Sequence, residues 1–134
     1  MSNIILVFGS NTLGIHGAGA AKVARCEYGA EPGVGVGPTG NAYAIPTKFK
    51  PTRGSGDAVP IAVIAQHVSQ FLDYARAHPD DTFLVTAIGC GLAGFVPSQI
   101  GPLFEGASEN VKLPLAFHES ALGSIVENRI SFRF

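Results

Sequence analysis
The chain has 134 residues, 46% hydrophobic and 14% charged, with a formal net charge of −1. That balance argues against disorder, and against broad electrostatic binding to duplex nucleic acid, whose affinity comes mainly from phosphate neutralisation. One domain, residues 1–134, able to bury its own core is expected.

Ile4 to Phe8 is an unbroken apolar run and predicts a strand covered on both faces. The glycine-rich turn Gly9 to Gly17 leads into a helix, about Ala18 to Tyr28. Its Gly19, Ala20, Ala21 and Ala24 let it sit close to a sheet, with Cys26 packed inside and Lys22 and Arg25 outward. Glu31 to Asn41 reads as a loop. Its formal G-x-G-x-x-G (Gly35, Gly37, Gly40) is discounted because Pro38 sits inside it and a short strand, Ala42 to Ile45, follows where a helix is required. Pro46 to Ala58 reads as a polar loop carrying Lys48, Lys50 and Arg53.

Pro60 fits the first turn of a helix, with Asp57 as its cap. Ile61, Ile64, Ala65, Val68, Phe71, Leu72 and Ala75 recur at helical spacing, and the helix stops near His78-Pro79. Thr82 to Ile88 reads as the next strand and Pro97 to Phe104 as a short helix. Val111 to Phe117 reads as a fourth strand, split by Pro114 and near an edge. Arg129 to Phe134 alternates as a half-exposed edge strand would, while Glu119 to Glu127 is ambiguous. This alternation predicts a compact α/β fold, a three-layer α/β/α sandwich with a mixed, mostly parallel sheet.

Two turns carry the chemistry. Ile88-Gly89-Cys90-Gly91-Leu92-Ala93-Gly94-Phe95 lies between a strand and a short helix, and Ser10 to Ala21 follows the first strand. Glycines there let backbone N–H groups approach a ligand, and such a nest suits a phosphate. Two nests in one small domain suggest a clamp around a diphosphate.

These residues resemble the macrodomain, an ADP-ribose-binding α/β/α module. Ala87 to Phe95 is similar to the macrodomain loop that wraps the diphosphate and distal ribose, and Asn11 matches the asparagine that touches that ribose. The branch that resembles it most is the terminal ADP-ribose protein glycohydrolase type. His16-Gly17-Ala18-Gly19-Ala20-Ala21 is similar to its M-G-A-G-I-A motif, Ala44 to Lys48 to its strand ending in Thr-Lys, and Ile88 to Ala93 to its I-G-C-G-L-D loop. The three motifs cover about a third of the chain.

The resemblance implies a site of Ser10, Asn11, His16, Gly17, Ala18, Gly19, Ala20, Thr47, Lys48, Ile88, Gly89, Cys90, Gly91, Leu92, Ala93, Gly94 and Phe95. It implies ADP-ribose or an ADP-ribosylated substrate as partner, no cofactor, and Lys48 as the catalytic nucleophile if the chain is a hydrolase. Ala93, however, stands where that branch has its aspartate, and Gly17 to Ala21 holds no carboxylate of the kind another branch uses. Without either acid nothing evident activates water, so binding ranks above an ADP-ribosyl hydrolase acting through Lys48. A doubly wound nucleotide-binding protein of another family is a third reading, against which neither turn matches the Walker or dinucleotide fingerprint.

Each residue also has a plainer reading. Lys48 is either a desolvated nucleophile or a solvated loop lysine. Cys90 reads as loop packing ahead of a reactive thiol. His16 either reaches a ribose or phosphate or is ordinary turn, and Phe95 either stacks on a ribose or joins the core. Asn11 fits a ribose contact and also plain turn chemistry. Four scattered histidines and two separated cysteines give no metal site. No run reaches the ~20 apolar residues of a membrane helix, and no basic signal-peptide start or disulfide framework is present, so a cytoplasmic location is expected.

Overall fold
The computed structural model describes residues 3–52, 56–120 and 129–130. Its elements, in chain order, are β1 (Ile4–Asn11), α1 (Gly19–Glu27), β2 (Gly37–Thr39), β3 (Ala42–Lys48), α2 (Ile61–Ala77) and β4 (Thr82–Val85). There follow α3 (Pro97–Ile100), a 3₁₀ turn (Gly101–Phe104), β5 (Val111–Pro114), α4 (Leu115–Ser120) and β6 (Arg129–Ile130). The sheet order is β2-β3-β1-β4-β5-β6, parallel except for antiparallel β2. The result is the expected three-layer α/β/α sandwich with a mixed, mostly parallel sheet.

Strand alternation divides the core. From β1, Ile5 and Val7 join Phe71, Phe83, Ile100, Phe104 and Phe117 in the larger cluster, beneath α2, α3 and α4. Leu6 and Phe8 face the other way, against Ala24, Ala42 and Ala44 under α1. Alanines on both sides of that interface bring α1 close to the sheet, so the layer is thin and its helix N-terminus sits near the ends of the strands.

Several expected boundaries shift. β1 runs on to Asn11, and β3 to Lys48, because Pro46 and Lys48 continue the parallel ladder opposite Ser10 and Asn11. Pro46 lies beyond the last pair of β2 (Gly37 with Ala44), where an absent N–H costs least. Residues 46–48 are therefore strand and not loop, and β2 lies inside the expected loop Glu31 to Asn41. β4 ends at Val85, three residues early, as the chain turns away through Thr86 to Ile88. The expected strand Val111 to Phe117 stops at Pro114, after which Phe117 enters α4 and stacks on Phe104, ring centroids 5.6 Å apart.

Pro60 is the N-cap of α2, which has no side-chain cap; Asp57 instead accepts the Thr52 hydroxyl at 2.6 Å. Cys26 is exposed and not packed. Arg129 and Ile130 pair with Leu113 and Pro114 as the edge strand, and the remaining tail and residues 121–127 lie outside the described residues. Among the described residues no helix is long and apolar enough to cross a membrane.

Candidate functional site
β1, β3 and β4 run parallel, and their carboxyl ends open together. After β1 the chain moves first to β3 on one side and then to β4 on the other, which leaves a crevice at the reversal point, where open α/β sheets place ligands. A cleft of about 620 Å³ lies there. Gly9, Ser10 and Asn11 from β1, Thr47 and Lys48 from β3, Thr86 to Gly89 after β4, and Gly17 to Ala21 at the start of α1 form its walls. Gly91, Leu92 and Ala93 complete one side, with Ile15, Lys50 and Pro51 on others.

The two turns are held from behind. Asn11 closes a ring with Ile15: its Nδ2 donates to the Ile15 carbonyl at 2.8 Å and its Oδ1 accepts the Ile15 N–H at 3.1 Å. Gly14 accepts the Gly33 N–H at 2.9 Å, so the loop with the discounted glycine pattern buttresses the first turn. The second turn bends at Gly89, whose φ is +74°. A Cβ there would also press on Ile100 Cδ1 at 3.2 Å, so the turn needs glycine both for its φ and for its contact with the core. Thr86 ties this turn to β1 through its backbone N–H and its hydroxyl, both given to the Val7 carbonyl.

Both turns leave backbone donors unspent. α1 has Ala18 at its N-cap with no side-chain cap, and the N–H groups of Gly19, Ala20 and Ala21 meet no acceptor among the described residues. The same holds for Gly91, Leu92 and Ala93. The charges on the walls are Lys48 and Lys50, and among the described residues no Asp or Glu lines the cleft.

Thirteen of the seventeen expected site residues line the cleft: Ser10, Asn11, Gly17, Ala18, Gly19, Ala20, Thr47, Lys48, Ile88, Gly89, Gly91, Leu92 and Ala93. Lys48 is not a solvated loop lysine: it is 4% exposed, and its Nζ donates to the Thr52 carbonyl. The other four lie off the cleft. His16 is buried with its ring edge-on to Phe8, centroids 5.1 Å apart, and its Nε2 donates to the Glu31 carbonyl at 3.2 Å. Cys90 and Phe95 pack against the larger core cluster, Phe95 from beneath the turn it was expected to face. Gly94 closes the turn, its N–H on the Gly91 carbonyl at 3.0 Å. Burial pushes the Cys90 thiol up, which leaves little thiolate at neutral pH.

Lys50 and Pro51 on the walls were missed by sequence reasoning, whereas Gly9, Ile15, Ala21, Thr86 and Ala87 lie within or beside the two expected turns but outside the expected set of site residues. Thr86 and Ala87 had a signal: they directly precede the expected phosphate turn, where the chain leaves β4. Lys50 had none, since its place on the wall depends on the pairing of Lys48 and Phe49 with Asp57 and Ala58. The backbone of Phe49 donates to the Asp57 carbonyl at 2.8 Å, and Lys48 bridges to Ala58.

No family model and no curated protein matches this sequence. Among solved structures the chain is similar to a protein of unknown function from Bacteroides thetaiotaomicron. That likeness has a TM-score of 0.60 at 14% identity and covers 84% of this chain and 87% of that one. It is also similar to Thermosipho africanus DarTG in complex with ADP-ribose, with a TM-score of 0.54 at 18% identity. That match covers 86% of this chain and 42% of the other, so this chain spans less than half of that protein's length. These likenesses support a macrodomain-like fold.

Proposed function
We propose that this macrodomain-like chain binds ADP-ribose, free or attached to a modified substrate, in the cleft at the carboxyl ends of β1, β3 and β4. The observation that carries the reading is the pair of unspent amide sets on its walls, at Gly19 to Ala21 and Gly91 to Ala93. Amides aimed at an anion make short, charge-assisted hydrogen bonds, and the positive end of α1 adds to the attraction. Lys48 and Lys50 supply formal positive charge on the same walls, and among the described residues no Asp or Glu lines the cleft. That DarTG, which this chain is similar to over 42% of DarTG's length, is in complex with ADP-ribose supports the choice of ligand.

Hydrolysis through Lys48 is the second reading, favoured by the placement of that side chain in the cleft wall. Against it stands Ala93, 4% exposed and lining the cleft, at the position where the glycohydrolase-type motif has an aspartate. Release of ADP-ribose from a modified substrate, lost in Lys48→Ala, would put hydrolysis ahead.

Calorimetric titration tests the binding reading. ADP-ribose is expected to bind at micromolar Kd, about −8 kcal/mol, well ahead of AMP and NAD. Absence of heat and of competition with all three ligands would refute it.

A further inference from the structure
Arg25 lies in the last turn of α1 and is exposed, yet its side chain turns back on the protein. Its Nε donates to the His16 carbonyl at 3.0 Å, nine residues earlier in the chain. The carboxyl end of α1 is thereby tied to the turn that precedes its own amino end. His16 is gripped elsewhere too: its Nε2 donates to the Glu31 carbonyl at 3.2 Å, and its ring stands edge-on to Phe8. At 3% exposed it is buried, whereas Gly17, Ala18 and Gly19, which follow it, are all exposed. A Cβ built on Gly17 or Gly19 meets nothing within 4 Å, and Gly19 has a φ of +58°. This short span, two-thirds glycine, has little side chain of its own to fix its path. Its direction is set at its ends, by His16 on one side and by the Lys22 N–H on the Ala18 carbonyl, 3.2 Å, on the other.

We propose that Arg25 is a positioning residue for ligand binding: from outside the cleft it acts through the His16 carbonyl to hold the amides of Gly19, Ala20 and Ala21 where they meet a phosphate of the ligand. This rests on the binding reading above. Amides ordered in advance contribute more affinity than amides that the ligand must order, because the ordering entropy is subtracted from the binding energy. The bond that does the ordering has a charged donor, which makes it stronger than a neutral one. The Arg25 charge would also attract an anionic ligand from a distance, with or without the hydrogen bond. Two replacements of equal length separate the two effects.

The experiment is calorimetric titration with ADP-ribose of the unaltered protein, Arg25→Met and Arg25→Gln, with a denaturant curve for each to show that it is folded at the titration temperature. Both replacements are good helix formers and both remove the charge. Counted along the side chain, glutamine carries an N–H donor at the position of the arginine Nε, and methionine carries a methyl group there. Arg25→Met is expected to bind about tenfold more weakly than the unaltered protein, and Arg25→Gln to stay within about threefold of it. Equal weakening in both variants would assign the effect to charge and overturn the positioning role, and so would unchanged affinity in Arg25→Met. If the unaltered protein itself does not bind ADP-ribose, the binding reading fails and takes the inference with it.

Discussion

Replacing Gly91 with valine is expected to weaken ADP-ribose binding by at least about 100-fold, some 2.7 kcal/mol, while leaving the fold unchanged. Gly91 lies on the cleft wall, its φ is outside the left-handed region, and a Cβ built there meets no atom within 4 Å. The added side chain thus has room in the protein and occupies space the diphosphate needs. It also shields the N–H groups of Gly91 and Leu92, two of the donors the ligand would use. Stability should change by no more than about 0.5 kcal/mol, the usual range for an exposed site without special contacts. Calorimetry on the variant, with a denaturant curve beside it, reads both quantities; unchanged affinity would remove the second turn from the binding site.

Gly14→Ala is expected to have the largest effect on stability, a loss of about 3–5 kcal/mol. Gly14 has a φ of +70°, where an L residue pays about 1–2 kcal/mol in strain. The Cβ would also lie 2.3 Å from the Gly33 carbonyl carbon and 2.5 Å from the Val34 nitrogen. Those are backbone atoms, so relief requires the first turn and the 33–35 loop to separate, breaking the Gly33 N–H bond to the Gly14 carbonyl. Gly17→Ala is the control, since a Cβ there meets nothing within 4 Å and φ is not positive. Chemical denaturation should show the first variant strongly destabilised and the second near wild type; a loss under about 1 kcal/mol for Gly14→Ala would contradict this packing.

The parts of this molecule that were legible in the sequence are those set by local pattern. The apolar run at Ile4 to Phe8, the helical spacing from Ile64 to Ala75 and the glycine spacing at Gly89 to Gly94 each specify an element through its own period or φ demands. The illegible parts depend on partners distant in the chain. Lys48 looks like a solvated residue next to Lys50, yet pairing of Asn11 with Lys48 draws it into β3 and buries it. His16 looks like a turn residue beside a ligand loop, but Phe8 and the Glu31 carbonyl capture its ring on the far side.

Asn11 shows the same limit within the site. Its type and position suggest a ligand contact, and the structure places it on the cleft wall, yet both ends of its carboxamide hold Ile15 in place. Its role in the observed geometry is to shape the first turn. The hydrogen bonds that decide this run to backbone atoms, and no side-chain identity in the sequence announces them.

In the proposed complex, unspent backbone amides of the two turns hold the ligand diphosphate. Amide-resolved NMR titration of the ¹⁵N-labelled protein with ADP-ribose tests it most directly. The largest shifts are expected at Gly19, Ala20 and Ala21 together with Gly91, Leu92 and Ala93. Shifts absent from both turns, or confined to residues away from the carboxyl ends of β1, β3 and β4, would contradict it.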